Sequence, residues 1–298
     1  MSEPTVVAVD VGGTTIKGAV VDRAGDFVRE LSRPTPAAAG VDAVIAALLD
    51  TIAELLSGRE IRAVGMVVPG AVDAAAGRAV FSANLGFRGE PLRDIVSEAT
   101  GLPACLAHDV GAAGVAEQEL GATAGVEDYV LAVIGTGIAA VIRTGGRVVV
   151  GATGVPGELG HIPVWPGGEQ CTCGQRGCLE RYASAAAIAR RYAQAGGEPG
   201  LSAADVLART DTDGQARRVW SEAVEALALA FSTCTMLLDP ELIVIAGGLS
   251  EAGEALREPV EHELAELVLW HGRPAVKLSP LGGRAGLLGA ALLARRLV

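Results

Sequence analysis

The densest chemistry in the sequence lies between positions 161 and 178. His161, Cys171, Cys173 and Cys178 set one imidazole and three thiols in a short stretch broken by Gly167, Gly168, Gly174 and Gly177. Four nitrogen and sulfur donors close a tetrahedral shell, which is the arrangement of structural zinc, whereas a catalytic zinc keeps one position open for water. The glycines supply the bends of a compact knuckle, so chance clustering of cysteines in a loop is the weaker reading. Two carboxylates flank the group, Glu158 and Glu180. Held in place by the metal, they suit hydrogen bonding to adjacent sugar hydroxyls. Either acid taken alone reads equally well as a solvated loop residue.

Glycine loops form the second constellation. In Asp10-Val-Gly12-Gly13-Thr14-Thr15-Ile-Lys17 a turn between two strands exposes backbone N–H groups with no side chain to keep a phosphate away. Thr14 and Thr15 add hydroxyl donors, and Asp10 is placed to hold a magnesium ion or its water beside a nucleotide phosphate. A plain hairpin turn is the alternative, which the flanking Asp, Thr and Lys disfavour. Ile134-Gly135-Thr136-Gly137 repeats the pattern in the second half. The spacing Gly135-x-Gly137-x-x-Ala140 mimics a dinucleotide fingerprint, but that motif must open a helix, and here a β-type run follows. No G-x-x-x-x-G-K-[ST] occurs, which excludes a P-loop enzyme. Gly247-Gly248, after the strand LIVIA, would let a nucleoside ring approach the backbone, although a strand-to-helix turn explains the pair equally well.

The elements that position these residues read as two related halves. TVVAVDV, IKGAVVD and DFVRELS form an antiparallel meander, followed by a helix over VDAVIAALLDTIAELL and the buried strand IRAVGMVV. YVLAVIGTG, IAAVIRT and RVVVGA repeat that order, with a helix near 214 to 238, the strand ELIVIAGG, a helix near 251 to 270, the strand AVKLS and a final helix AGLLGAALLARRL. An insertion over 151 to 213 carries every zinc-type ligand, and AGGEPG within it is a plain loop. Asp109 follows the apolar strand LPACLA, so a rigid element presents it. Its other reading is a cap for a helix beginning near Gly111.

With 298 residues, half of them hydrophobic and a fifth charged, the chain is long enough for two domains with sizeable cores. A formal net charge of -11 argues against nucleic acid as the main partner. The start, MSEPTVVAVD, lacks the positive charge and apolar run of a signal peptide, and apolar segments such as 130 to 142 are too short and glycine-broken to span a membrane. A cytoplasmic location is expected. Five cysteines, three of them in the knuckle, suit a reducing compartment, with Cys105 and Cys234 read as buried small hydrophobes.

Gly157-Glu158-Leu-Gly-His161 followed by Cys171-Thr-Cys173-Gly-Gln-Arg-Gly-Cys178-Leu-Glu180 resembles the signature of the ROK sugar kinases. The agreement covers the whole chain, through Asp10-x-Gly12-Gly13-Thr14-x-x-Lys17, Val68-Pro69-Gly70-Ala-Val-Asp73, Ala83-Asn84-Leu85 and Gly135-Thr136-Gly137. The resemblance implies an actin-like, ribonuclease H-like duplicated α/β fold, two domains closing over a cleft, in dimers or tetramers. The expected small domain is 1–112 plus 285–298 and the larger one 113–284. It implies ATP-dependent phosphorylation of a hexose with Mg2+ and structural zinc, and Asp109 as the base that accepts the proton of the sugar's 6-hydroxyl. Gly70, Asn84, His108, Glu158, His161 and Glu180 fall at its sugar-binding positions, with one ring nitrogen of His161 on zinc and the other toward the sugar. Glucose is the first choice, followed by N-acetylmannosamine, fructose or mannose, with polyphosphate as a possible donor in place of ATP. A non-catalytic sugar-binding or regulatory protein is the remaining alternative, disfavoured by the acidic charge and by both loops and Asp109 being in place. Two departures from the family stand out. His108 replaces an Asn common in the glucokinases, and Ala139-Ala140 follows Gly137 where glycines are frequent.

Overall fold

The computed structural model describes residues 5–22, 24–152, 156–270 and 272–298. Residues 1–4, on which part of the N-terminal reading rests, and 153–155 of the expected insertion lie outside them. The chain divides into two compact units, Met1–Ala116 with Arg284–Val298, and Glu117–Gly283.

The first unit contains β1 (Val6–Val11), β2 (Thr15–Val21), β3 (Phe27–Pro34), α1 (Val41–Leu56), β4 (Val64–Val68), the hairpin β5 (Ala71–Asp73) and β6 (Arg78–Phe81), α2 (Leu92–Thr100), β7 (Ala104–His108) and α3 (Asp109–Leu120), which runs through the boundary at Ala116. Its sheet has the order β3-β2-β1-β4-β7, with β1, β4 and β7 parallel and β2 and β3 antiparallel. Alternation along β1 sends successive side chains to opposite faces. Val7, Val9 and Val11 pack with Val44, Leu48, Ile52 and Leu55 of α1. Val6 and Ala8 pack on the other face with Ala112 and with Leu287, Ala290 and Ala294 of the C-terminal helix, Ala285–Arg295. That helix is rich in alanine and lies so close that a Cβ on Gly65 would collide with the Ala290 carbonyl.

The second unit contains β8 (Tyr129–Ile134), β9 (Ile138–Thr144), β10 (Arg147–Val148), α4 (Glu180–Ala183), α5 (Ala185–Gln194), α6 (Ala203–Ala208), α7 (Gly214–Leu238), β11 (Leu242–Ala246), α8 (Glu254–Leu267) and β12 (Ala275–Leu278); the C-terminal helix of the first unit is α9. Its sheet order, β10-β9-β8-β11-β12, repeats the first in both order and direction. Two copies of this five-stranded pattern make the ribonuclease H-like duplication of actin-like proteins. The core centres on α7, whose N-terminus is capped by the Asp213 side chain accepting from the Gln215 and Ala216 amides.

Several element boundaries differ from expectation; β4, for one, starts at Val64 rather than Ile61. β10 stops at Val148, although the Val149 amide still donates to the Ile142 carbonyl of β9 at 2.9 Å, and Val150 beyond it is exposed. The helix expected over 251 to 270 starts at Glu254, since Gly253 adopts a φ of 63° after a 3-10 turn at Gly248–Ala252, and ends at Leu267. α3 begins at Asp109 rather than near Gly111. α7, expected near 214 to 238, has 25 residues and a window of mean hydropathy 1.3. Half of that window is buried within the unit, as in a core helix.

Candidate functional site

In the first unit, the parallel strands β1 and β7 bring the acidic residues to the C-terminal end of the sheet. Asp10 pairs in register with Lys17 and Val67, and Val68 with His108, so Asp10, His108 and Asp109 sit where β1 and β7 end. Burial pushes the Asp10 carboxyl up to about 6, with Asp109 adding to the rise and Lys17 opposing it. Burial also raises Asp109, while His108 and the Val110 amide hold it down. Asp109 Oδ1 accepts from that amide at 2.7 Å and lies 3.3 Å from His108 Nε2.

The first glycine loop follows β1 directly after Asp10 and Val11. The Gly12 amide donates to the Thr15 carbonyl at 3.0 Å, and Thr35 donates through Oγ1 to the Gly12 carbonyl at 2.6 Å and through its amide to the Thr14 carbonyl at 2.9 Å. Gly13 has an ordinary backbone, and what requires glycine is proximity: a Cβ there would lie 2.9 Å from Asn84 Cβ. Thr14, Lys17 and Asn84 are exposed and Thr15 half-buried. Gly70, at φ 102°, has room for no side chain beside the Phe81 carbonyl. Sequence reasoning missed Gly286, in the first turn of α9, where an added Cβ would stand 3.4 Å from Asp10 Oδ2. A glycine just inside a helix start is the signal that was available.

In the second unit, the Gly135 amide donates to the Gly137 carbonyl at 2.9 Å, which folds the second loop back on itself. Gly247, at φ 80°, packs against Ile134, placing Gly247 and Gly248 beside that loop. Ala140 does not narrow the loop: its methyl belongs to the core, and its amide donates to the Gly157 carbonyl at 2.7 Å. Glu180, at the start of α4, accepts from the Ile138 amide through Oε2 at 2.9 Å.

The four expected metal donors come together in the same unit, with their ligand atoms all within 4.8 Å of one another. Cys171 Sγ is 3.7 Å from His161 Nδ1, and Cys173 Sγ is 3.7 Å from Cys178 Sγ. A tetrahedral zinc with sulfur ligands at about 2.3 Å has edges of about 3.8 Å, so the donor set fits that ion. Gly174 and Gly177, at φ 94° and 79°, make the bends, and the Cys171 amide closes the turn on the Gln175 carbonyl at 2.8 Å. Burial and the neighbouring thiols push the Cys178 thiol up to about 12. Cys173, exposed, is lowered by the Gln175 backbone amide. His161 presents Nε2 away from the thiols, 3.8 Å from Glu158 Oε2. All five cysteines are free; Cys234 is buried and Cys105 only partly so.

The chain is 34% identical to the glucokinase of Thermotoga maritima over 309 residues, covering 98% of this chain and 97% of that protein. A glucokinase of Streptomyces griseus, solved with glucose and AMPPNP, superposes with a TM-score of 0.86 at 30% identity, covering 98% of this chain and 99% of the other. A hexokinase from Thermus thermophilus does so with a TM-score of 0.79 at 32% identity, covering 98% of both chains. The model of the ROK family matches residues 6–297, and the chain belongs to that family.

Proposed function

We propose that this protein is an ATP-dependent hexose kinase that converts glucose and ATP to glucose 6-phosphate and ADP, with Asp109 as general base. The observation that carries the proposal is the Asp109 carboxylate: Oδ1 is engaged by the Val110 amide and faces His108, which leaves Oδ2 to accept a proton. Its raised proton affinity suits a base working near neutral pH. As the 6-hydroxyl oxygen attacks the γ-phosphorus, its proton passes to Asp109, the new O–P bond forms, the β–γ bridging bond breaks, and ADP departs. Such transfers depend on positioning and charge neutralisation more than on covalent help.

The roles of the other residues follow the same reading. The loop amides of Gly13 and Gly137, in turns closed by the amides of Gly12 and Gly135, would hold phosphates with the hydroxyls of Thr14, Thr15 and Thr136 and the ammonium of Lys17, and Gly247-Gly248 would face the nucleoside. Asp10 would hold magnesium, whose bound charge offsets that of the phosphates; a buried carboxylate whose proton affinity is raised further by a second acid, Asp109, suits a divalent cation. Gly70, Asn84, His108, Glu158, His161 and Glu180 would contact the sugar. Zinc on His161, Cys171, Cys173 and Cys178 would fix Nδ1 and so aim Nε2 beside Glu158. Free thiols throughout suit a cytoplasmic location, and the family resemblance favours a homodimer or homotetramer.

His108 favours a second reading, a kinase for N-acetylmannosamine, fructose or mannose, because it replaces the Asn that family glucokinases use on a sugar hydroxyl. A coupled ADP-release assay over a hexose panel, with ATP and polyphosphate as donors, tests both readings. Turnover fastest with glucose and ATP is the expected result, and no turnover with any sugar would remove the proposal. Asp109→Asn should lose about 10^2- to 10^4-fold in kcat.

A further inference from the structure

We infer that Glu180 is a positioning residue that couples sugar binding to the conformation of the second glycine loop. The inference rests on the kinase reading and adds a linkage between its two substrates. Glu180 Oε2 holds the Ile138 amide at 2.9 Å, while Oε1 has no hydrogen-bond partner among the described residues. The loop is gripped at its other end by the first residue of α5, where the Ala185 amide, one residue beyond the α4 C-cap, donates to the Gly135 carbonyl at 2.9 Å. Gly135 to Ile138 is thus clamped at both ends by the segment that begins two residues after the metal donor Cys178. The fit leaves no slack: a Cβ on Gly137 would stand 2.7 Å from Glu180 Oε2. Gly160, which starts the turn leading to His161, packs against both partners, with an added Cβ 3.3 Å from Glu180 Cβ and in collision with the Ile138 carbonyl.

The duplicated fold supplies an independent parallel. In the first unit the corresponding β1–β2 loop presses Gly13 against Asn84, as the β8–β9 loop presses Gly137 against Glu180. In both units the second glycine of a candidate phosphate loop therefore has a candidate sugar ligand as its nearest side chain. A sugar hydroxyl bound by Oε1 would fix the carboxylate in the rotamer that holds Ile138, so the loop would be ordered before the nucleotide arrives. Among the described residues Glu158 has no such link to the loop, its close partner being His161.

The test compares Glu180→Ala, Glu180→Gln and Glu158→Gln in the full chain. Hydrogen exchange at the Ile138 amide in the ligand-free protein reads the contact directly. It should accelerate in Glu180→Ala and stay protected in Glu180→Gln, whose amide oxygen still accepts. Affinity for AMPPNP, measured without and with saturating glucose, reads the coupling: it should rise at least about fivefold in the wild type, within the usual range for linked sites. That factor should fall below about twofold in Glu180→Ala, recover in Glu180→Gln, and persist in Glu158→Gln at saturating glucose even though glucose binds more weakly. Unchanged Ile138 exchange in Glu180→Ala, no enhancement in the wild type, or an enhancement that survives Glu180→Ala would each overturn the inference. Absence of binding by any sugar would sink the kinase reading instead, and the exchange measurement would still decide whether Glu180 holds the loop.

Discussion

His108 Nε2 lies 3.3 Å from Asp109 Oδ1, so the residue that departs from the family's usual asparagine is turned toward the candidate base. A cationic imidazole there favours the ionised carboxylate and works against the effect of burial. Asp109 functions as a base only when ionised, so removing the imidazole should make it harder to ionise. His108→Asn is therefore expected to move the acid limb of the kcat/KM profile to higher pH. A limb that stays in place while the glucose KM changes would make His108 a sugar contact and nothing more.

Asp10 links pH to stability. Its carboxyl titrates near 6 when folded and near 3.8 when unfolded, chiefly through burial and then through Asp109. Across that window the unfolded chain loses its proton first, so stability falls as pH rises from about 4 to 6 and levels off above. Asp10→Asn has no charge to bury. Its gain over the wild type should be near zero at pH 3.5 and grow to at most about 3 kcal/mol above pH 6, while kinase activity collapses for want of a magnesium ligand. Urea unfolding at several pH values checks this; a gain independent of pH would assign the effect to packing.

The metal cluster predicts about one zinc per chain. Because the buried Cys178 thiol holds its proton tightly without metal, zinc must displace protons to bind, and affinity should fall steeply as pH drops. Cys178→Ala should lose the metal and lower Tm by about 5 °C or more. The glucose KM should rise with it, since His161 Nδ1 would no longer be fixed. Elemental analysis that finds no zinc in the wild type would overturn the assignment.

What the sequence made legible was local. The gathering of four donors in one loop was legible from their spacing, and the meander before α1 declares itself by alternation and by turn residues. α7 was expected near 214 to 238 and is found at Gly214–Leu238, between the Asp213 N-cap and Asp239. Contacts across the chain were not legible. Glu180 and Ile138 are 42 positions apart, and nothing in either residue's type announces the pairing. The direction of the His108 ring is likewise set by a rotamer beside the start of α3, not by its position after a strand. The short helices α4, α5 and α6 were hidden in a segment read as an insertion, since four to ten residues are too few to show a clear period.

Two glycines that look alike in sequence should answer differently to a methyl group. At Gly65 the added Cβ meets the Ala290 backbone carbonyl and stands 3.2 Å from Ala294 Cβ, so β4 and α9 must move apart. Overpacking of this kind costs about 1–3 kcal/mol, and Gly65→Ala should lose that much stability while keeping its kcat/KM at temperatures where it is folded. At Gly137 the listener is the end of a flexible carboxylate, which swings aside cheaply and in doing so releases Ile138. Gly137→Ala should keep its stability within about 0.5 kcal/mol and lose turnover. Thermal unfolding and steady-state kinetics on both variants separate the two cases. The reverse pattern, with Gly137→Ala unstable and fully active when folded, would make that glycine a packing residue and leave the second loop without its assigned part in phosphate binding.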